Sequence, residues 1–158
     1  SVSEIIEIGV IEQNHGRPQD AIVQYERALQ LSADAKSRSV ALAMLGSAFE
    51  QAGDIDHERM SYQYALREDP DNGVALVSSG LLAEQDGDLT AAVAQIAHAM
   101  KVGPTDVGYL LLEQALRRAG RPTEANDAHM RAQKMSRDFA KAQGSARGVL
   151  AAAGIKGD

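Results

Sequence analysis

Gly46, Gly53, Ala65 and Pro70 reappear in this chain as Gly80, Gly87, Ala99 and Pro104, every step being 34 residues. The frame reaches upstream to Gly9, Gly16, Ala21, Tyr25 and Ala28, and downstream to Gly120, Ala125, His129 and Ala132. Ala28, Ala65, Ala99 and Ala132 therefore stand 37, 34 and 33 residues apart. A fixed period of this length marks one supersecondary unit repeated along the chain. A unit so short buries its apolar face only by stacking on its neighbours.

Each unit reads as two helices joined by a tight turn. In the second, Val40, Ala43, Met44, Leu45, Ala48 and Phe49 recur at the three-to-four spacing of one helical face. Gly53 follows directly, where a left-handed cap needs a residue without a Cβ. Asp54 and Asp56 then open the next helix, which turns Tyr62, Ala65 and Leu66 inward, and Pro70 lies beyond its end. Gly16-Arg17-Pro18 and Gly120-Arg121-Pro122 set proline near a first helical position, where its missing N–H is no loss. Gly at 9, 46 and 80, with the four alanines, lets helices approach to about 8 Å. Tyr25 and Tyr62 are expected to fill the space between units. Ile96 and His129 replace them later, which predicts looser packing in the last repeat.

The pattern resembles the tetratricopeptide repeat family over roughly residues 2 to 137, whose Leu-Gly, Tyr, Ala, Phe/Tyr, Ala and Pro positions these residues match. The match is degraded in the fourth unit, which has Glu113 at the first Gly position and Arg137 in place of the closing Pro. Three extra residues around Ala33-Asp34-Ala35-Lys36 separate the first two units. The resemblance implies an all-α, right-handed superhelical solenoid of antiparallel helix pairs. Its single domain would span 1–158, with repeats at 2–35, 39–72, 73–105 and 106–139 and a capping helix and tail over 140–158. Arg131, Lys134, Arg137 and Lys141 are expected to continue a polar helix to Gln143. Gly144-Ser145 then breaks it, leaving Val149, Leu150 and Ile155 as a short apolar tail.

Composition narrows the function. The chain has no cysteine, so disulfides and thiolate chemistry are excluded, and no apolar run approaches a membrane span. It begins at Ser1 with neither an initiator Met nor a signal peptide, as expected of one segment of a larger protein. Residues 1–116 hold 18 acidic and 7 basic side chains, whereas 117–157 hold 3 acidic and 9 basic. That polarity would let the basic end meet an acidic partner or the acidic part of another copy. His15, His57, His98 and His129 occupy four different places in the repeat and make no metal site. Ser78-Ser79-Gly80 lies inside a helix, so it is no nucleophile elbow. Glu50, Glu84, Asp54 and Asp88 recur with the repeat and need no catalytic explanation. Arg117, Arg118 and Arg121 form a basic patch, but no aromatic platform accompanies it and the net charge is −6, which argues against nucleic acid.

In tetratricopeptide repeats the first helix of each unit lines a concave groove, and the resemblance implies positions five, nine and twelve. Position five gives Ile6, Ala43, Val77 and Leu110. Position nine gives Val10, Ser47, Leu81 and Gln114, and position twelve gives Gln13, Glu50, Glu84 and Arg117. Related domains that clamp a C-terminal carboxylate carry Lys and Asn at positions five and nine. In the first three units those places hold Ile6, Val10, Ala43, Ser47, Val77 and Leu81, so a carboxylate there would be desolvated beside no cation. An apolar floor with a Gln/Glu rim suits an amphipathic or extended peptide with aliphatic anchors and basic flanks. The expectation is a non-catalytic protein-interaction scaffold that needs no cofactor or metal. The alternative is a self-assembly module stacking head to tail through an acidic N-terminal part and a basic C-terminal end.

Overall fold

The computed structural model describes residues 1–156. Among them lie nine α-helices and no strand: α1 Val2–Asn14, α2 Pro18–Leu31, α3 Ala35–Ala52, α4 Ile55–Glu68, α5 Gly73–Gln85, α6 Leu89–Val102, α7 Asp106–Arg118, α8 Pro122–Met135 and α9 Phe139–Ala152. They gather into two compact units, Ser1–Ala75 and Leu76–Asp158. In the first, α1 packs on α2 and α3 on α4, and α3 also meets α1 and α2. In the second, α7 packs against α6, α8 and α9.

Local chemistry sets the helix ends. Asp34, Asp54, Asp88, Thr105 and Asp138 each accept a backbone N–H of the first turn, and Pro18 and Pro122 open α2 and α8. Gly53 closes α3 at φ 76°, donating to the Glu50 carbonyl at 3.0 Å while Asp54 donates to Phe49 at 2.9 Å. The extra residues between the first two pairs lengthen α3, because Asp34 caps it by accepting from Ser37 N at 2.9 Å. The apolar face of α3 is broader than its period predicts. Ala41, Leu42, Ala43, Leu45 and Ala48 are all buried, since three helices contact it, and Val40 points outward instead.

One contact recurs at a 16-residue separation. Gly46 lies beneath the Tyr62 ring so closely that a Cβ there would sit 2.5 Å from Cε1. Gly9 stands in the same relation to Tyr25, and Gly80 to Ile96, where the distance would be 2.6 Å to Cγ1. Tyr25, Tyr62 and Ile96 are almost wholly buried. The rings therefore fill the seam within a helix pair. The separation fixes this: both members sit on facing helices of one antiparallel hairpin. Tyr25 keeps its hydroxyl satisfied by donating to Gln13 Oε1 at 2.6 Å, and burial pushes its pKa up to about 12.

Polar groups in the first unit are tied down with similar economy. Ser39 Oγ donates to the Ala65 carbonyl at 2.8 Å and accepts from Asn72 Nδ2 at 2.9 Å. Asn72 Oδ1 in turn accepts from Ala75 N at 3.0 Å, which joins α3, α4 and the start of α5. Glu58 is buried as well. It is 7% exposed, and burial, reinforced by the negative charge of Glu50 and opposed by Arg59, raises its carboxyl pKa to about 7.

The C-terminal segment departs from expectation. α8 ends at Met135, and α9 begins anew at Phe139 and runs straight through Gly144-Ser145. Helix continuity there comes from tertiary contact, since Ala142, Ala146 and Leu150 are buried on one face of α9 and α9 packs on α7. Packing of that face outweighs a glycine propensity penalty of about 1 kcal/mol.

Replacing Gly46 with Ala is expected to lose about 1–2 kcal/mol, because overpacking against Tyr62 exceeds the helix-propensity gain. In a Tyr62→Ala background the same substitution should become neutral or stabilising, and chemical denaturation of the four species reads the reversal. A Gly46→Ala loss that persists without the ring would dissociate the glycine from the tyrosine.

Glu58 supplies a pH signature. Its folded pKa of about 7 lies above the usual 4.5, so its contribution is fully present below pH 4.5 and is lost as pH rises toward 7. Glu58→Gln should therefore be nearly neutral at pH 4.5 and stabilising by about 2 kcal/mol at pH 8. Thermal melts of both proteins across that range test it; a constant difference would show that Glu58 ionises normally.

Candidate functional site

The groove positions meet different fates in the structure. In the first unit Ile6 is half-buried, Val10 is exposed, and Ala43 is buried. Gln13 is consumed by internal bonds, accepting from Tyr25 and donating through Nε2 to Ser47 Oγ at 3.2 Å. Glu50 is half-buried, and desolvation raises its pKa. In the second unit Val77 is half-buried and Leu81 is buried. Glu84 is fully buried, with Oε1 accepting from Arg118 Nη1 at 3.1 Å. Burial lifts the Glu84 pKa against the opposing pull of that guanidinium. The acidic rim read from the sequence is thus withdrawn at Glu84, which spends its charge on Arg118.

Leu110, Gln114 and Arg117 are brought together. They line one wall of a cavity of about 900 Å³ formed within the second unit by α7, α9 and the segment after α9. The opposite wall carries Gln143, Ala146, Arg147, Leu150 and Ala151. Gly154, at φ 70°, turns the chain back: its N–H donates to the Ala151 carbonyl at 3.0 Å and Ile155 N donates to Leu150 at 2.8 Å. That turn repeats the one at Gly53. It buries Ile155 against the cavity and brings Lys156 to its edge. Leu150 and Ile155 of the expected tail are docked, and Val149 remains outside.

The α9 wall was missed in the sequence, yet its signal is there. α9 starts 33 residues after α7, the same spacing as the last alanine step. Carried forward by 33, positions five, nine and twelve fall on Gln143, Arg147 and Leu150, all three of which face the cavity. α9 thus stands where the first helix of a fifth pair would stand. The reading of Gly144-Ser145 as a helix break hid this.

Behind the α7 wall the Gly–ring contact of the earlier pairs is replaced by charge. Glu113 occupies the Gly position and His129 the ring position, with Glu113 Oε2 2.9 Å from His129 Nδ1. Glu113 Oε1 accepts from Arg117 Nε and Nη2 at 3.0 and 2.8 Å, and Arg117 Nη2 also donates to Asn126 Oδ1 at 3.2 Å. The His129 ring meets Phe139 of α9 edge-on at 5.2 Å. The His129 side chain is 34% exposed, so this last seam is the open one. The arrangement orients Arg117 rather than preparing an acid and a base, because both oxygens of Glu113 are engaged by cationic or imidazole partners.

What the cavity offers is an apolar floor with amide and cationic groups and one carboxylate, Glu113, which is paired to Arg117. Leu110, Ala146, Leu150 and Ile155 supply the floor. Gln114 Nε2 is buried without a hydrogen-bond partner among the described residues. Arg147 and Lys156 have no ion pair there either, whereas Arg117 is paired. Among the described residues no group of three or more His, Asp or Glu side chains is placed to hold a metal ion, and no helix is long and apolar enough to cross a membrane.

The chain matches no protein-family model and no curated protein sequence. Solved structures do share its architecture. Two structures of MamA have TM-scores of 0.67 and 0.68 at 22% and 20% identity; they cover 89% and 92% of this chain and 76% and 81% of their own. A third, MamA AMB-1, has a TM-score of 0.65 at 20% identity and covers 96% of this chain and 90% of its own. At this identity the likeness establishes the fold: the chain is an all-helical repeat protein of packed helix pairs.

Proposed function

We propose that this chain is a non-catalytic interaction scaffold of tetratricopeptide type, and that it holds a segment of a protein partner against the first helices of its repeats. The observation that carries this reading is the cavity between α7 and α9. Its volume of about 900 Å³ lies at the upper end of ligand-pocket sizes, enough for several side chains of a peptide. Apolar side chains supply area to bury, and cations at the edge supply direction. Its walls fall at groove positions five, nine and twelve of two successive first helices. Scaffold function follows from the chemistry of that surface and from the fold's stacking of first helices, not from a reactive group.

Filling the cavity tests the reading without touching the core. Ala151 is exposed at the cavity edge, so Ala151→Trp should leave the thermal melt unchanged within about 2 °C. The same substitution should abolish co-purification of the native partner, whereas Val23→Arg, at an exposed site in the first unit, should not. Partner capture that survives a folded Ala151→Trp protein would move the binding surface away from this cavity.

A further inference from the structure

We infer that the occupant of the α7–α9 cavity is an acidic peptide segment: aliphatic residues seat on the floor, and an Asp, Glu or terminal carboxylate faces Arg147 and Lys156. This deepens the scaffold reading and rests on it. The sign is opposite to the Gln/Glu rim read for the groove and agrees with the basic C-terminal end read from the charge distribution. Of the rim carboxylates, Glu84 is spent on Arg118; Glu113, which itself lines the cavity, is spent on Arg117 and His129. The cations of the α9 side are not spent. Arg147 and Lys156 both line the cavity with no ion-pair partner among the described residues.

Two further features point the same way. Arg117 is held by Asn126 and by Glu113, which lines the cavity beside it, and this fixes its guanidinium at the cavity wall at no ordering cost to the ligand. The absence of cations that excludes a carboxylate from the first three pairs does not extend to α9. There Arg147 occupies position nine, beside Leu110, Ala146 and Leu150. A carboxylate entering here meets a cation at the edge while its aliphatic neighbours bury against the floor. A cationic side chain would meet like charge.

The test is selection of roughly twelve-residue random peptides, an ample length for a cavity of this class, on the immobilised full chain. Anisotropy of the enriched peptides then follows on the wild type, on the Arg147→Glu/Lys156→Glu double variant and on Ala151→Trp. Enriched peptides should combine Leu, Ile or Val with Asp, Glu or a free C-terminal carboxylate. They should lose about tenfold or more in affinity on the double variant and weaken with salt. Amidating the C-terminus separates a terminal carboxylate from acidic side chains. Ala151→Trp should bind none of them. Selection of Lys- or Arg-rich peptides, or acidic peptides indifferent to the charge reversal, would overturn the inference and leave the cavity as a site of another preference. Enriched peptides that still bind Ala151→Trp, or no enrichment at all, would overturn the cavity reading itself.

Discussion

The first three helix pairs are set by what lies between position 9 and position 25 of the first, and at the same separation in the next two. A first-helix glycine lets the partner helix press Tyr25, Tyr62 or Ile96 against its backbone. The contact is dry, and it leaves no room for even one methyl group. This seam fixes the separation of the two helices, and with it which first-helix residues turn away from the partner. The surface on which ligands are met is thus a by-product of a packing rule. Where the rule is followed, positions five, nine and twelve are buried or half-buried except at Val10, and have little chemical freedom. Where it is broken, at Glu113 and His129, the same seam becomes a polar network that reaches the cavity wall.

Much of the fold was legible because its signals are local. Glycines that close helices, aspartates that open them and prolines at first positions act on their own turn, and a single sequence carries them intact. The period adds the stacking order. Two matters depended on longer range and were not legible. A period says that a ring is near a seam without saying which, so the contact of each tyrosine within its own pair was missed. α9 was broken at Gly144-Ser145, because intrinsic propensity was the only evidence and docking on α7 overrides it.

The candidate site shows the same division. Leu110, Gln114 and Arg117 were named from the repeat frame and do share a cavity. The basic end that holds it was legible in the charge count, but not which of its charges stay unpaired. Glu84 looks like a surface carboxylate in the sequence, and only the fold reveals Arg118 beside it; likewise Arg147 acquires meaning only once α9 is seen to stand as a fifth first helix. Net charge along a chain counts residues, whereas a ligand responds to the charges that remain unpaired at one surface. Here the two differ in sign.

α9 carries a consequence of its own. With Gly144 and Gly148 in its interior, it has weak reason to be helical apart from the face it lays on α7, yet it forms half of the cavity. A wall held in this way is coupled to whatever the cavity contains. A segment that grips both α7 and α9 adds its own contacts to those that keep α9 wound, so occupancy and helix order shift together by mass action. The last helix would in that sense be a latch: thrown by its docking on α7, and held shut by a segment seated in the cavity.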